Sequence, residues 1–238
     1  MAAGPRPTPS IAVEEALWAS SYRYVAGVDE VGRGPLAGPV YAAAVILDAT
    51  ARPAWLGELR DSKVLQANDR ERLAAAIRQE AFSFGLGWAS VGEIDAWGIA
   101  PANKMAMVRA LGALSVRPSI ALIDGPLGIN HPIPQRTIVD GDATCMSIAA
   151  ASIVAKVARD ALMCDLDTIH PEYGFASHKG YATREHLARL EQYGPSIQHR
   201  RSWLAVRRHG GMDDAGIPAF LRRIPDHLTR KPAVDASV

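Results

Sequence analysis

A chain of 238 residues with 48% hydrophobic and 21% charged side chains can bury a large core and is not disordered as a whole. Lys and Arg number 26 against 25 Asp and Glu, a formal net charge of +1, which excludes a uniformly basic coat but not a local basic face. The two cysteines, Cys145 and Cys164, have neither disulfide-framework nor metal-ligand spacing and read as buried reduced thiols.

Residues 1–20, MAAGPRPTPSIAVEEALWAS, carry three prolines and then Glu14 and Glu15, so no apolar core of a signal peptide forms. They read as a flexible leader, residues 21–224 as the folded domain and 225–238 as a flexible tail. YVAGVD and GPVYAAAVIL predict two strands joined by the glycine-rich EVGRGPLAG turn. NDRERLAAAIRQEA predicts a helix burying Leu73, Ala76, Ile77 and Ala81, and FSFGLGWASV a third strand. IAPANKMAMVRALGAL reads as a helix with Met105, Val108 and Leu111 to Leu114 as its apolar stripe. SIALIDG predicts a buried strand ending at Asp124, and RTIVDGD a short one ending near Asp142. ATCMSIAAASIVAKVARDALMCDL is the longest helical candidate, and Lys156, Arg159 and Asp160 near its middle exclude a membrane span. TREHLARLEQYG predicts a helix capped by Thr183 and stopped at Gly194. Hairpin strands followed by alternating helix and strand predict an α/β fold, a mixed sheet covered by helices.

Three predicted strands end in acids: Asp29 with Glu30, Asp124, and Asp142. Strand ends of open sheets are where sites are built. Four carboxylates side by side repel one another unless a counter-ion joins them, and an all-oxygen set suits Mg²⁺ or Mn²⁺ better than Zn²⁺. Any one of these acids alone reads equally as a helix cap or turn residue. Adjacent strand residues face opposite ways, so Asp29 and Glu30 share a site only where the strand is ending, which Gly32 and Gly34 permit.

The strings GVDEVGRGPLAGPVYAAAVIL, DSKVL, EID, MAMVRAL, IDG, GDATCMSIAAASIVAKVARD, YGFASHKGYATREHL and HRRSW run in order from Tyr24 to Trp203. Together they closely resemble the successive motifs of bacterial ribonuclease HII. The resemblance implies an RNase H-like fold, a central mixed sheet flanked by helices, with a helical C-terminal segment over about residues 183–224 that helps grip nucleic acid. It also implies cleavage of the RNA strand of RNA/DNA hybrids and incision 5′ to ribonucleotides embedded in duplex DNA, leaving 3′-hydroxyl and 5′-phosphate ends. By the same resemblance Asp29, Glu30, Asp124 and Asp142 form the catalytic, two-metal quartet for Mn²⁺ or Mg²⁺. Gly32, Arg33 and Gly34 match the loop pressed against the ribonucleotide, Lys63 the lysine near the scissile phosphate, and Tyr181 the aromatic packed on the next sugar. Asp160 reads as a salt-bridge residue, and Tyr173 with Phe175 as structural.

Departures from the motif are Asp140 where a basic residue is usual, Gly98 for Asn, Val31 for Ala and Trp203 for Phe; none removes a proposed ligand. A ribonuclease HIII-like enzyme would carry an additional N-terminal domain, and a silent hybrid-binding module would have lost a carboxylate. The loop GRGPLAG is not the GxGxxG of a nucleotide-binding domain. A cytoplasmic monomer is expected, with no membrane contact and with the tail from Pro225 as a place where a clamp could bind. Residues 1–177 hold 15 basic and 19 acidic side chains and residues 178–231 hold 11 and 5, so the near-neutral total conceals a basic C-terminal third suited to phosphates.

Overall fold

The computed structural model describes residues 8–60, 62 and 65–211. Its elements, in chain order, begin with helix α1 (Ala12–Ala19), strands β1 (Val25–Val31) and β2 (Val40–Ile46), helix α2 (Ala67–Glu80) and strand β3 (Ser83–Ala89). Helices α3 (Val91–Trp97) and α4 (Ile99–Gly112), strands β4 (Ile120–Asp124) and β5 (Gln135–Ile138) and the helical turn α5 (Gly141–Thr144) follow. The chain continues with α6 (Met146–Ile169), α7 (Phe175–His178), α8 (Arg184–Tyr193) and α9 (Leu204–His209). The sheet order is β3-β2-β1-β4-β5. The β1–β2 and β2–β3 pairs are antiparallel, whereas β4 runs parallel to β1 and β5 parallel to β4, so the mixed sheet expected from sequence is present.

Alternation along β1 sends Ala26 and Val28 to one face, where they pack with Ala102, Ala106 and Met107 of α4. On the other face of the sheet, Ala43 and Val45 of β2 meet α2 and the alanine-rich first half of α6. Gly27, also on β1, is what lets α6 lie this close, because a Cβ there would stand 2.2 Å from the carbonyl carbon of Ser147. The α4 stripe is rotated from the one expected. Ala102, Ala106 and Ala110 with Met107 and Leu111 face the sheet, and Met105 is exposed. Small residues win the contact because the β3 glycines bring the two backbones together; a Cβ on Gly87 would lie 2.2 Å from the Ala106 carbonyl oxygen.

Residues 12–19, expected within a flexible leader, instead form α1, whose Val13, Leu17 and Trp18 pack against Val25, Ile120, Leu122 and Ile148. Glu14 is fully buried, and its Oε1 accepts bonds from the backbone N–H (2.8 Å) and hydroxyl (2.6 Å) of Ser147 in the first turn of α6. A carboxylate at that helix start also meets the positive end of the helix dipole. The α3 helix, unread from sequence, is fixed by a capping box between Ser90 and Glu93. Thr183 caps α8 and Gly194 ends it, as expected. Cys145 is buried, but Cys164 is exposed on α6, with the Lys179 Nζ 3.0 Å from its sulfur. No helix among the described residues is long and apolar enough to cross a membrane. The tail from Pro225 lies outside the described residues.

Candidate active site

The β1–β4 ladder stops at the pair Val28 and Ile123, and the next residue on each strand is an acid, Asp29 and Asp124. Two neighbouring parallel strands therefore deliver their carboxylates at one level of the sheet. Beyond Val28, β1 stays paired with β2, Asp29 opposite Ala43 and Glu30 opposite Ala42. Both acids thus lie in regular strand, not at a bend. They nevertheless line one cleft, on the stretch of β1 that β4 no longer covers.

Asp142 reaches the cleft differently from the expectation that it ends a strand. The strand stops at Ile138, Asp140 adopts a left-handed conformation (φ 53°), and Asp142 sits on the helical turn that follows. Asp124 holds that turn in place, its Oδ1 accepting the Gly141 N–H at 2.7 Å. Asp29, Glu30, Asp124 and Asp142 all line one cleft of about 320 Å³. Asp29 and Asp142 are nearly buried, at 5% and 8% exposure.

Burial, then the charges of Glu30 and Asp124, push the Asp29 carboxyl well above its ordinary range, against a hydrogen bond from Ser152. Burial and the charge of Asp142 raise Asp124 as well, with the Gly141 N–H working the other way. Two neighbouring acids strained toward protonation are the electrostatic state that a hard cation relieves. Among the described residues, no group of three or more His, Cys, Asp or Glu side chains is arranged to hold a metal ion. The oxygen-only chemistry and mutual repulsion of the four acids fit divalent ions, while their present rotamers line a cleft and do not form a closed cage.

Gly32, Arg33 and Gly34 and Tyr181 line the same cleft as the acids. Gly34 lies beside the tyrosine with room to spare, since a Cβ there would stand 3.8 Å from the ring, an ordinary van der Waals contact. Tyr181 is 41% exposed, unlike Tyr173 and Phe175, which stack together in a buried cluster at 5.3 Å between centroids. The exposed Arg33 guanidinium turns back to Glu30 at 3.1 Å, a cationic partner that the sequence did not reveal. Asp160 does form a salt bridge, but with Lys156 at 2.8 Å and not with adjacent Arg159. Lys63 lies outside the described residues.

Three cleft residues escaped the sequence reading. Ser152 and Lys156 stand one helical turn apart on α6, and the Ser152 hydroxyl pairs with that of Ser62 at 2.9 Å. The separation of four residues between Ser152, Lys156 and Asp160 was the available signal, since it places all three on one face of the helix.

A family model described as Ribonuclease HII matches residues 26–206. The chain belongs to the ribonuclease HII family. The curated Ribonuclease HII of Desulfitobacterium hafniense (strain DSM 10664 / DCB-2) is 50% identical over 195 residues, covering 82% of this chain and 74% of that protein. That of Nitrosococcus oceani is 54% identical over 184 residues, 77% of this chain and 90% of the relative. Among solved structures, the ribonuclease H2 of Pyrococcus horikoshii superposes with a TM-score of 0.69 at 24% identity, over 84% of this chain and 99% of that one. The RNase HII in the PCNA:RNase HII complex from Archaeoglobus fulgidus gives 0.63 at 27% identity, over 76% and 95%. Bst-RNase HIII, solved in complex with Mn²⁺, gives 0.60 at 20% identity, over 79% and 69%. The protein is thus a type 2 ribonuclease H, an endoribonuclease acting on RNA/DNA hybrids, in a family whose activity depends on metal.

Two departures from the family motif have local explanations. Gly98 joins α3 to α4 at φ 84° and ψ 162°, a region open almost only to glycine, so glycine fits a backbone here in which Asn would be strained. Trp203 packs beside Leu36, Leu190 and Val206 and under the Arg200 guanidinium, 5.4 Å from the ring centroid, a place where a larger aromatic adds contact.

Proposed function

We propose that the protein incises duplex DNA 5′ to embedded ribonucleotides as well as cutting the RNA strand of hybrids, with Asp29, Glu30, Asp124 and Asp142 as the groups that hold two divalent ions, Mg²⁺ or Mn²⁺. The observation that carries this reading is the juxtaposition of Asp29 and Asp124 at one level of adjacent strands, in the cleft faced by the Gly32–Gly34 loop and Tyr181. Divalent ions bound there supply Lewis acidity toward the scissile phosphate and toward water. The carboxylates bind and orient them, Asp124 additionally fixing the turn that carries Asp142. Gly32, Arg33 and Gly34 offer backbone at close range to a 2′-hydroxyl, which separates RNA from DNA. Tyr181 presents a ring face to the sugar after the ribonucleotide, and Lys63 a charge to the phosphate. In this reading the catalytic unit includes α1 and runs to about residue 224, acts as a cytoplasmic monomer, and carries in the tail from Pro225 a place where a clamp could bind.

The test is cleavage of a duplex bearing one ribonucleotide, with Mg²⁺, Mn²⁺ or EDTA, and the new ends mapped. Metal-dependent incision 5′ to the ribonucleotide leaving a 3′-hydroxyl supports the reading. Cleavage in EDTA, or incision on the 3′ side, overturns it.

A further inference from the structure

Among the described residues two arginines are entirely buried, Arg159 of α6 and Arg200 in the segment before α9. Buried guanidinium groups are ordinarily matched by a carboxylate. Here all three nitrogens of each are spent on backbone carbonyls. Arg200 donates to the carbonyls of Gly32 (2.5 Å), Arg33 (2.9 Å) and Gly38 (2.9 Å). Arg159 donates to those of Pro39 (3.0 Å), Ala37 (3.1 Å) and Lys179 (3.0 Å). Burial lowers Arg200 only to about 9, so it stays charged at neutral pH.

Five of these six carbonyls belong to the loop between β1 and β2, and the sixth precedes Gly180 and Tyr181. The two segments also meet directly, Leu36 N–H donating to the Gly180 carbonyl at 2.8 Å. Gly32 rests on Arg159 itself, with a φ of +90° and room for no Cβ, which would stand 2.2 Å from the guanidinium Nε. Because a trans peptide points its N–H opposite to its C=O, bonding the Gly32 and Arg33 carbonyls to Arg200 turns the N–H groups of Arg33 and Gly34 away from it. Both residues line the cleft.

We infer that Arg159 and Arg200 are positioning residues that lock the Gly32–Gly34 loop and the Tyr181 turn into one rigid frame, so that the loop and the tyrosine ring meet a ribonucleotide at a fixed spacing. The inference rests on the substrate reading above for its meaning, but the locked frame is a property of the free protein. The planar fork is essential to it, since one group reaches three carbonyls in diverging directions, which a lysine ammonium on a flexible stem cannot reproduce.

The experiment compares wild type with Arg200→Lys and, independently, Arg159→Lys, each normalised to folded protein by circular dichroism. On the duplex with one ribonucleotide, kcat falls by about 10- to 100-fold in either variant while KM changes by less than about threefold, the pattern of misaligned reacting groups with binding retained. The ratio of activity on that duplex to activity on a long hybrid falls with it, and Mn²⁺ affinity measured by calorimetry without nucleic acid is unchanged. Hydrogen exchange of the Leu36 amide in the free protein accelerates at least about tenfold, which reads the frame even if the substrate assignment fails. Full kcat per folded molecule with lysine, equal losses on both substrates, or unchanged Leu36 exchange in both variants overturns the inference. If one variant does not fold, the other carries the same readouts. A wild type that cuts no ribonucleotide-containing duplex, with Leu36 exchange still accelerated in the variants, refutes the substrate reading and leaves the frame standing.

Discussion

The histidines behind the Tyr181 turn give a pH prediction whose size follows from their hydrogen bonds. His186 Nδ1 faces the Tyr181 carbonyl at 2.9 Å and therefore carries the proton, which leaves its Nε2 to accept from His199 Nε2 at 3.0 Å. His199 Nδ1 then accepts from the Ser196 N–H at 3.0 Å. Each ring is neutral in one tautomer, and a second proton on either would break the chain. The rings are at most 1% exposed and pack against Phe175, and His186 stacks on His178, surroundings that offer a charge no solvent. Burial accordingly holds His186 down to about 4 and His199 to about 3, from an ordinary 6.5. A folded value below the unfolded one means that the unfolded chain takes up protons first. Stability is full above pH 6.5 and is lost as pH falls through that value toward 4. At pH 5.5 an unfolded histidine is about ten-elevenths protonated and the folded pair hardly at all. The loss from pH 7.5 is therefore about 1.4 kcal/mol for each ring, roughly 3 kcal/mol for both. The raised carboxyls of Asp29 and Asp124 act in the opposite direction, so the assay is a difference. Urea unfolding of wild type and His199→Gln at the two pH values cancels the carboxylates. The variant should be less stable at pH 7.5 and lose about 1.4 kcal/mol less than wild type on going to pH 5.5. An identical pH dependence in the two proteins refutes a buried neutral His199.

Asp29→Asn and Asp124→Asn should each abolish divalent-dependent cleavage while leaving the metal-free protein as stable as wild type or up to about 1 kcal/mol more so, because a charge is removed from a repelling set; activity assays and urea midpoints check both halves. Tyr181→Ala should lose about tenfold more on a duplex with one ribonucleotide than on a long hybrid, and equal losses would remove its role at the junction. Glu14→Gln should cost about 1–3 kcal/mol in urea unfolding with kcat per folded molecule unchanged, since Glu14 and Ser147 anchor the start of α6 and neither lines the cleft. Binding to a hybrid should weaken steeply with salt, by release of counterions from the duplex, and a flat dependence would contradict phosphate contacts by the basic C-terminal third.

Strand positions and the acids were legible because both follow short-range rules. An apolar run bounded by Gly and Pro predicts a strand wherever it lies, and Asp29 and Asp124 needed only the rule that sites gather at strand ends. Asp142 was found as an acid but misplaced as a strand end, because the left-handed Asp140 that starts its helical turn is a conformation any Asp-Gly pair can equally spend in a simple turn. The α1 helix was missed because it is short and follows a proline-rich stretch, and burial of Glu14 depends on a partner, Ser147, 133 residues away. The α4 stripe was rotated because hydrophobicity ranks Met105 above Ala106, whereas contact with the β3 glycines selects for smallness.

Arg159 marks the limit of that kind of reading most sharply. In sequence it stands beside Asp160, and pairing of the two is the natural inference. On a helix, however, neighbours diverge by about 100°. Asp160 therefore meets Lys156 one turn back on the cleft side, while Arg159 points inward to carbonyls 120 and 122 residues earlier and 20 later. The same geometry changes the meaning of Gly32. Close approach of a ribonucleotide is one reason for a glycine, but the guanidinium beneath it forbids a side chain even with no substrate bound. A substitution at Gly32 therefore disturbs the frame and the substrate contact together, and its loss of activity cannot be assigned to either. Arg200→Lys separates them, because it loosens the carbonyl side of the same peptides and leaves the surface offered to the ribonucleotide chemically intact.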